Sequence, residues 1–132
     1  MCLDTSAYSN FRRGEPRVVE HLDNAEWIGV PTVVVGELRA GFLLESRADE
    51  NLRELDEFLS HPVVEILPVD ALVAGIYGEI IADLRARGCP LPTNDVWIAA
   101  TAARAGASVL TFDERFESVA RVGSLILAQP SP

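Results

Sequence analysis

The sequence predicts an α/β domain in which a mainly parallel sheet of about four to five strands is covered by helices on both faces, a three-layer α/β/α sandwich. Three observations carry that expectation. Short apolar runs alternate with helical patterns of ten or more residues, the sign of βαβ units, whose crossovers put helices on the faces of a parallel sheet. The 132 residues are 48% apolar, which supplies one sizeable core. No change in composition marks a linker, so residues 1–132 read as a single domain.

The elements follow in order. Met1 to Leu3 form the first strand, closed by Asp4, and Thr5 and Ser6 open a helix to about Phe11 that Gly14 ends. Pro16 suits the first turn of a second helix, where Val18, Val19 and Leu22 recur at helical spacing. Trp27 to Val30 read as the second strand, and Pro31 and Thr32 open a long helix from Val33 to about Ser46, with Glu37 among Val34, Val35, Gly36, Leu38 and Ala40. Ala48 to about Ser60 has Leu52, Leu55, Phe58 and Leu59 on one face and charges on the other, as a surface helix does. Val63 to Leu67 form the third strand. Between Asp70 and Arg87 an apolar stripe runs from Leu72 to Leu84, with Arg85 and Arg87 at its C-terminal end and Gly88 as its stop. A further helix, about Asn94 to Ala105, is alanine-rich and closed by Gly106. Ala107 to Thr111 give the fourth strand, Asp113 follows, and after a short turn through Phe116 to Val119 comes a last strand at Leu125 to Leu127. Gln129 to Pro132 read as a frayed tail.

Composition excludes several chemistries. The charge is 11 − 20 = −9, and every positive residue is arginine. Without lysine there is no phosphate-binding loop of the Walker type, and receiver-like or haloacid-dehalogenase-like sites lose their usual lysine. The acidity argues against nonspecific duplex binding, though not against a nucleic acid reached through bound metal ions. Cys2 and Cys89 form no disulfide framework, and with His21 and His61 no zinc pattern. No apolar run reaches the ~18 residues of a membrane span, and the N-terminus lacks the pattern of a secretion signal. The expected location is the cytoplasm.

In an open parallel sheet the working crevice lies beyond the carboxyl ends of the strands. Asp4 closes the first strand, Asp113 stands just past the fourth, and Asp95 heads the helix before it. Glu37 joins them if its helix leans over the crevice. Each acid also has a plain structural reading. Asp4 can cap the first helix, Asp113 can form an Asx-type turn, and Asp95 can be a helix-start residue behind a Thr93 or Asn94 cap. Glu37 is the hardest to explain in that way, because a lone carboxylate among valines costs several kcal/mol unless a cation pairs with it. Arg39 is on another helical face, so a cation from solution is the alternative. Carboxylates gathered at one place repel one another unless a divalent ion is present, and Mg²⁺ and Mn²⁺ prefer such oxygen ligands.

The chain resembles a PIN-domain ribonuclease, specifically a VapC-type toxin of a toxin–antitoxin system. The resemblance covers nearly the whole chain. It rests on Leu3-Asp4-Thr5-Ser6, on Gly36-Glu37-Leu38, on Pro92-Thr93-Asn94-Asp95-Val96-Trp97-Ile98-Ala99-Ala100, and on Thr111-Phe112-Asp113-Glu114-Arg115-Phe116. It implies a PIN-like α/β/α fold, metal-binding catalytic acids at Asp4, Glu37, Asp95 and Asp113, and Mg²⁺ or Mn²⁺ as cofactor. Thr5, Ser6 and Thr111 fall where hydroxyls support the metals or their waters. The last motif varies in the family, which leaves Glu114 or Glu117 as substitutes for Asp113. The implied reaction is hydrolysis of an RNA phosphodiester by metal-activated water, leaving a 5′-phosphate and a 3′-hydroxyl. Family membership also implies a homodimer and a cognate antitoxin whose C-terminal segment covers the acidic groove.

Other assignments stay open in the sequence. Arg12, Arg13 and Arg17 either guide the RNA backbone or form a solvated cluster. Gly36, Ala40, Gly41 and Phe42-Leu43-Leu44 either pack the core or form a contact surface. The competing functions are a noncatalytic PIN-like binding module and a metal-dependent phosphoesterase acting on DNA or small phosphates.

Overall fold

The sheet is built around its shortest strand. β1 (Cys2–Leu3) lies between β2 (Ile28–Pro31) and β4 (Val109–Thr111), with β3 (Val64–Leu67) and β5 (Ser124–Ile126) at the edges, giving the order β3-β2-β1-β4-β5. All four pairings are parallel. Cys2 pairs in register with Gly29 on one side and Val109 on the other, and both residues of β1 are fully buried, as a central strand covered on both faces requires. The structure, a computed structural model, describes residues 1–127. The tail Gln129 to Pro132 lies outside the described residues.

Gly29 has a steric reason that the strand pattern did not disclose. A Cβ there would sit 2.6 Å from the Trp27 ring, 2.8 Å from Leu67 Cδ1 and 3.0 Å from Cys2 Sγ, so the strand has room for hydrogen only.

The helices are α1 (Thr5–Arg12), α2 (Pro16–Asp23), α3 (Thr32–Leu43), α4 (Ala48–Leu59), α5 (Ala71–Arg87) and α6 (Thr93–Arg104), followed by a 3₁₀ helix at Glu114–Ser118. They complete the predicted three layers. On one side α5 and α6 pack together, joined by Tyr77 stacked on Trp97 with ring centroids 3.8 Å apart. The alanines of α6 let it approach closely, and Val96, Ile98, Ala99, Ala100, Thr101 and Ala102 are all buried. An aromatic group of Tyr8, Phe11, Phe42 and Phe58 ties α1, α3 and α4 together. Gly88 ends α5 in the left-handed conformation at φ 66°.

Several boundaries differ from the sequence reading, that of α3 most of all. α3 stops at Leu43 rather than near Ser46, because the Leu44 and Glu45 amides donate only three residues back, to Gly41 and Phe42, and tighten the last turn. Beyond Phe42 the helix has nothing left to bury: Leu43 is 66% exposed and Leu44 90%. Strands β2 and β5 are shifted by one residue, within the ordinary variation of element ends. Among the described residues no helix is long and apolar enough to cross a membrane.

Candidate active site

The chain order reverses between β1 and β4, since β1, β2 and β3 run outward on one side and β4 and β5 on the other. Backbone diverges at such a switch point and opens a crevice beyond the strand ends. Both strands that flank it run directly into candidate acids.

Asp4 is the N-cap of α1 and is only 4% exposed. Its Oδ1 accepts hydrogen bonds from the Ala7 amide at 2.8 Å and the Ser6 hydroxyl at 2.7 Å, and its Oδ2 accepts one from the Thr111 hydroxyl. Those hydroxyls in turn accept from β4's exit: the Phe112 amide donates to Ser6 Oγ at 3.1 Å and the Asp113 amide to Thr111 Oγ1 at 2.9 Å. Asp4 thus joins the ends of two strands. Burial raises its pKa, the three hydrogen bonds oppose that, and the charge of Asp113 adds to the rise.

Glu37 reaches the crevice from α3, half-buried. Thr5 Oγ1 donates to its Oε1 at 2.7 Å and Asn94 Nδ2 to its Oε2 at 3.4 Å, so this carboxylate links α1, α3 and α6. Arg39 turns away to Asp56 on α4 at 3.4 Å. The helix does lean over the crevice.

Asp95 lies in the first turn of α6. The expected Thr93 or Asn94 cap does not form. Pro92 holds the N-cap position and brings no side-chain acceptor, while Thr93 and Asn94 are already the first two helical residues. The Asn94 amide is directed at Glu37 instead. The Asp95 carboxyl is pushed up to about 6, first by burial and then by the charge of Asp113, with Glu37 and Asp4 adding and Arg115 opposing. Each of the other three acids thus bears electrostatically on Asp95.

Asp113 caps the 3₁₀ helix by accepting from the Arg115 amide at 2.9 Å, so the turn expected for it is present. The Arg115 side chain also grips it, Nη2 lying 2.6 Å from Oδ2, and this holds the Asp113 carboxyl below its ordinary range. The same Nη2 is 3.7 Å from Asp95 Oδ2. Glu114 and Glu117, the possible substitutes, are exposed on the 3₁₀ helix.

Sequence reasoning missed two residues here. Asn94 reads as a cap in its local context, and Arg115 is only a letter in a motif; its position two residues past Asp113, where an Asx-type turn folds it back, is the available signal. Two of the three arginines near the first motif have partners of their own. Arg12 donates to Glu54 at 3.1 Å and to Asn51, and its guanidinium lies 5.2 Å from the Phe42 ring centroid. Arg17 pairs with Glu15 at 2.8 Å and lies over the Phe112 ring, while Arg13 is exposed.

The donors are those of a hard divalent cation: carboxylates backed by hydroxyls, without sulfur or imidazole. Among the described residues no three His, Cys, Asp or Glu side chains are close enough to form a ready cage. The chemistry of the donors fits a hard ion such as Mg²⁺ or Mn²⁺.

Fold and site together define a class: a parallel α/β/α domain with a carboxylate-built crevice at its topological switch point. The PIN domain family model matches residues 1–122, and the chain belongs to that family. Ribonuclease VapC4 of Mycobacterium tuberculosis is 36% identical over 94 residues, 71% of this chain and 72% of that protein, which places the chain in the VapC-type branch. VapBC2 of Rickettsia felis, solved bound to a DNA fragment from their promoter, shares the fold with a TM-score of 0.86 at 24% identity over 95% of this chain and 96% of that one. VapBC-5 of Mycobacterium tuberculosis, a member of the VapBC family of toxin–antitoxin systems, aligns with a TM-score of 0.68 at 26% identity over 96% of this chain and 97% of that one.

Proposed function

We propose that the protein is a divalent-metal-dependent endoribonuclease, the toxin component of a toxin–antitoxin pair. The observation that supports this most is the convergence of Asp4, Glu37, Asp95 and Asp113 from separate elements on one crevice, where Asn94 reaches Glu37, Thr111 joins Asp4 to the Asp113 backbone, and Arg115 spans Asp113 and Asp95. Unneutralised, such a group opposes folding and repels phosphate. The similarity to Ribonuclease VapC4 supports RNA as substrate, and the likeness to a toxin–antitoxin complex supports an antitoxin partner.

Asp4, Glu37, Asp95 and Asp113 would hold the ion, in part through the waters it retains. Bound Mg²⁺ or Mn²⁺ supplies positive charge against the phosphodiester and makes water nucleophilic near neutral pH. The chain's own part is orientation. Thr5 fixes one oxygen of Glu37, and Ser6 and Thr111 fix Asp4 while also holding the backbone before Asp113. Two helix N-termini, of α1 and α6, direct their partial positive ends at the carboxylates. The crevice hydroxyls of Thr5, Ser6 and Thr111 are engaged with Glu37 and Asp4, so attack by water on phosphorus is the reaction the donors suit. A second copy would pack against α3, where Gly36, Ala40 and Gly41 stand open beside Leu43 and Leu44.

The test is an Mn²⁺-supplemented assay with structured RNAs, single-stranded DNA and a small phosphate ester, comparing the parent with Asp95→Asn. RNA cleavage that requires the metal and disappears in the variant supports the proposal. Equal activity in both proteins sinks the site assignment; cleavage of DNA or the small ester alone points to a general phosphoesterase. No cleavage, with no rise in melting temperature on adding Mn²⁺, points to a noncatalytic module.

A further inference from the structure

Arg115 stands where a side chain and a divalent ion would compete for the same carboxylate. A carboxylate offers about four lone-pair directions. In Asp113 three N–H groups of a single residue engage both oxygens: the Arg115 amide donates to Oδ1 at 2.9 Å, Nε is shared between Oδ1 at 3.0 Å and Oδ2 at 3.1 Å, and Nη2 donates to Oδ2 at 2.6 Å. The guanidinium then extends to within 3.7 Å of Asp95 Oδ2. It therefore bridges two like charges from different elements, which is the electrostatic task of a metal ion. Its side chain is 57% exposed, so no packing prevents it from swinging into solvent.

We propose that Arg115 is a positioning residue that serves as a resident counter-cation. It holds Asp113 beside Asp95 in the metal-free protein and is displaced when a divalent ion binds. Arg115 engages both Asp113 oxygens that an ion would use, and a guanidinium at this distance from two ligands repels the incoming ion. Removing Arg115 thus strengthens ion binding, whereas removing a residue that merely supports the site would weaken it. This inference rests on the reading of the crevice as a divalent-metal site.

Calorimetric titration of Mn²⁺ into the metal-stripped protein tests it, with melting temperature as a second readout. The series is the parent, Arg115→Ala, Arg115→Gln, Arg115→Lys and, as a control for net charge, Arg47→Ala, whose guanidinium pairs with Glu50 on α4. Arg115→Ala and Arg115→Gln are expected to bind Mn²⁺ about three- to tenfold more tightly and to show a larger Mn²⁺-induced rise in melting temperature. Arg115→Lys returns toward the parent, and Arg47→Ala stays within about twofold of it. Affinities in the two neutral variants equal to that of Arg47→Ala, or weaker than the parent's, overturn the role of Arg115 and leave the metal site standing. No binding in any protein of the series overturns both.

Discussion

Two helices enter the crevice by their N-termini, each carries an acid there, and they use it in opposite ways. Asp4 is embedded: it caps α1, is almost inaccessible to solvent, and accepts from Ala7, Ser6 and Thr111. Asp95 sits within the first turn of α6 without serving as its cap, and its surroundings press its pKa up to about 6. One acid builds the site, and the site strains the other. Asp4 organises the ends of β1 and β4 through its hydrogen bonds, whereas Asp95 carries a charge that its surroundings disfavour.

Catalysis should respond most strongly. Asp95→Asn should lower metal-dependent RNA cleavage by at least about 100-fold, since even the partners that orient metal ligands are commonly worth 10- to 100-fold. Single-turnover rates at saturating Mn²⁺ check this, and a loss below tenfold would break the assignment of Asp95 as the acid that needs the cation.

Stability separates the two acids by sign. Asp4→Ala should destabilise the metal-free protein by about 1–3 kcal/mol, because it removes a helix cap and leaves the Thr111 and Ser6 hydroxyls without their acceptor. Relief of a desolvated charge offsets part of that loss. Asp95→Asn should act the other way, raising metal-free stability at pH 7.5 by about 1–3 kcal/mol. Urea unfolding in the presence of a chelator measures both.

The pH dependence divides them further. The folded pKa of Asp95, about 6, lies above the ordinary value of 3.8, so between the two values the folded state keeps a proton that the unfolded chain has released. The carboxylate's opposition to folding is complete above about pH 6 and fades as pH falls toward about 4. The advantage of Asp95→Asn over the parent should shrink over the same window. An advantage that persists unchanged at pH 4 would mean that the gain has another origin.

The mildest change concerns the hydroxyl that holds Glu37. Thr5→Val keeps the shape of α1's first turn but removes the 2.7 Å hydrogen bond to Oε1. Cleavage should fall roughly tenfold while the melting temperature of the metal-free protein moves little. An unaltered rate would detach Glu37 from the acids that Asp4 and Asp95 represent.

Much of this molecule was legible in its sequence. Asp4 and Asp113 stand directly after apolar runs that can only be buried strands, and alternating strands and helices force a parallel sheet whose carboxyl ends share one crevice. Chain neighbourhood sufficed there, because a residue at a strand's end inherits its position from the strand. What could not be read was whatever depends on side chains far apart in sequence. Thr111 reaches Asp4 across 107 residues, and Asn94 leaves the capping role that its neighbourhood suggested in order to meet Glu37 across 57. The pairing of Arg12 with Glu54, across 42 residues, was likewise not legible beside the first motif.

The fold class, the strand-end acids and the helix that carries Asp95 were settled by the amino-acid order alone, because periodicity and local junctions are properties of a continuous chain. It took packing in three dimensions to tilt α3 so that Glu37 enters the same crevice, and to lay Arg115 across Asp113 toward Asp95. Those outcomes come from competition among donors for a few carboxylate lone pairs, and which donors can compete is settled only when the packed helices bring them within reach.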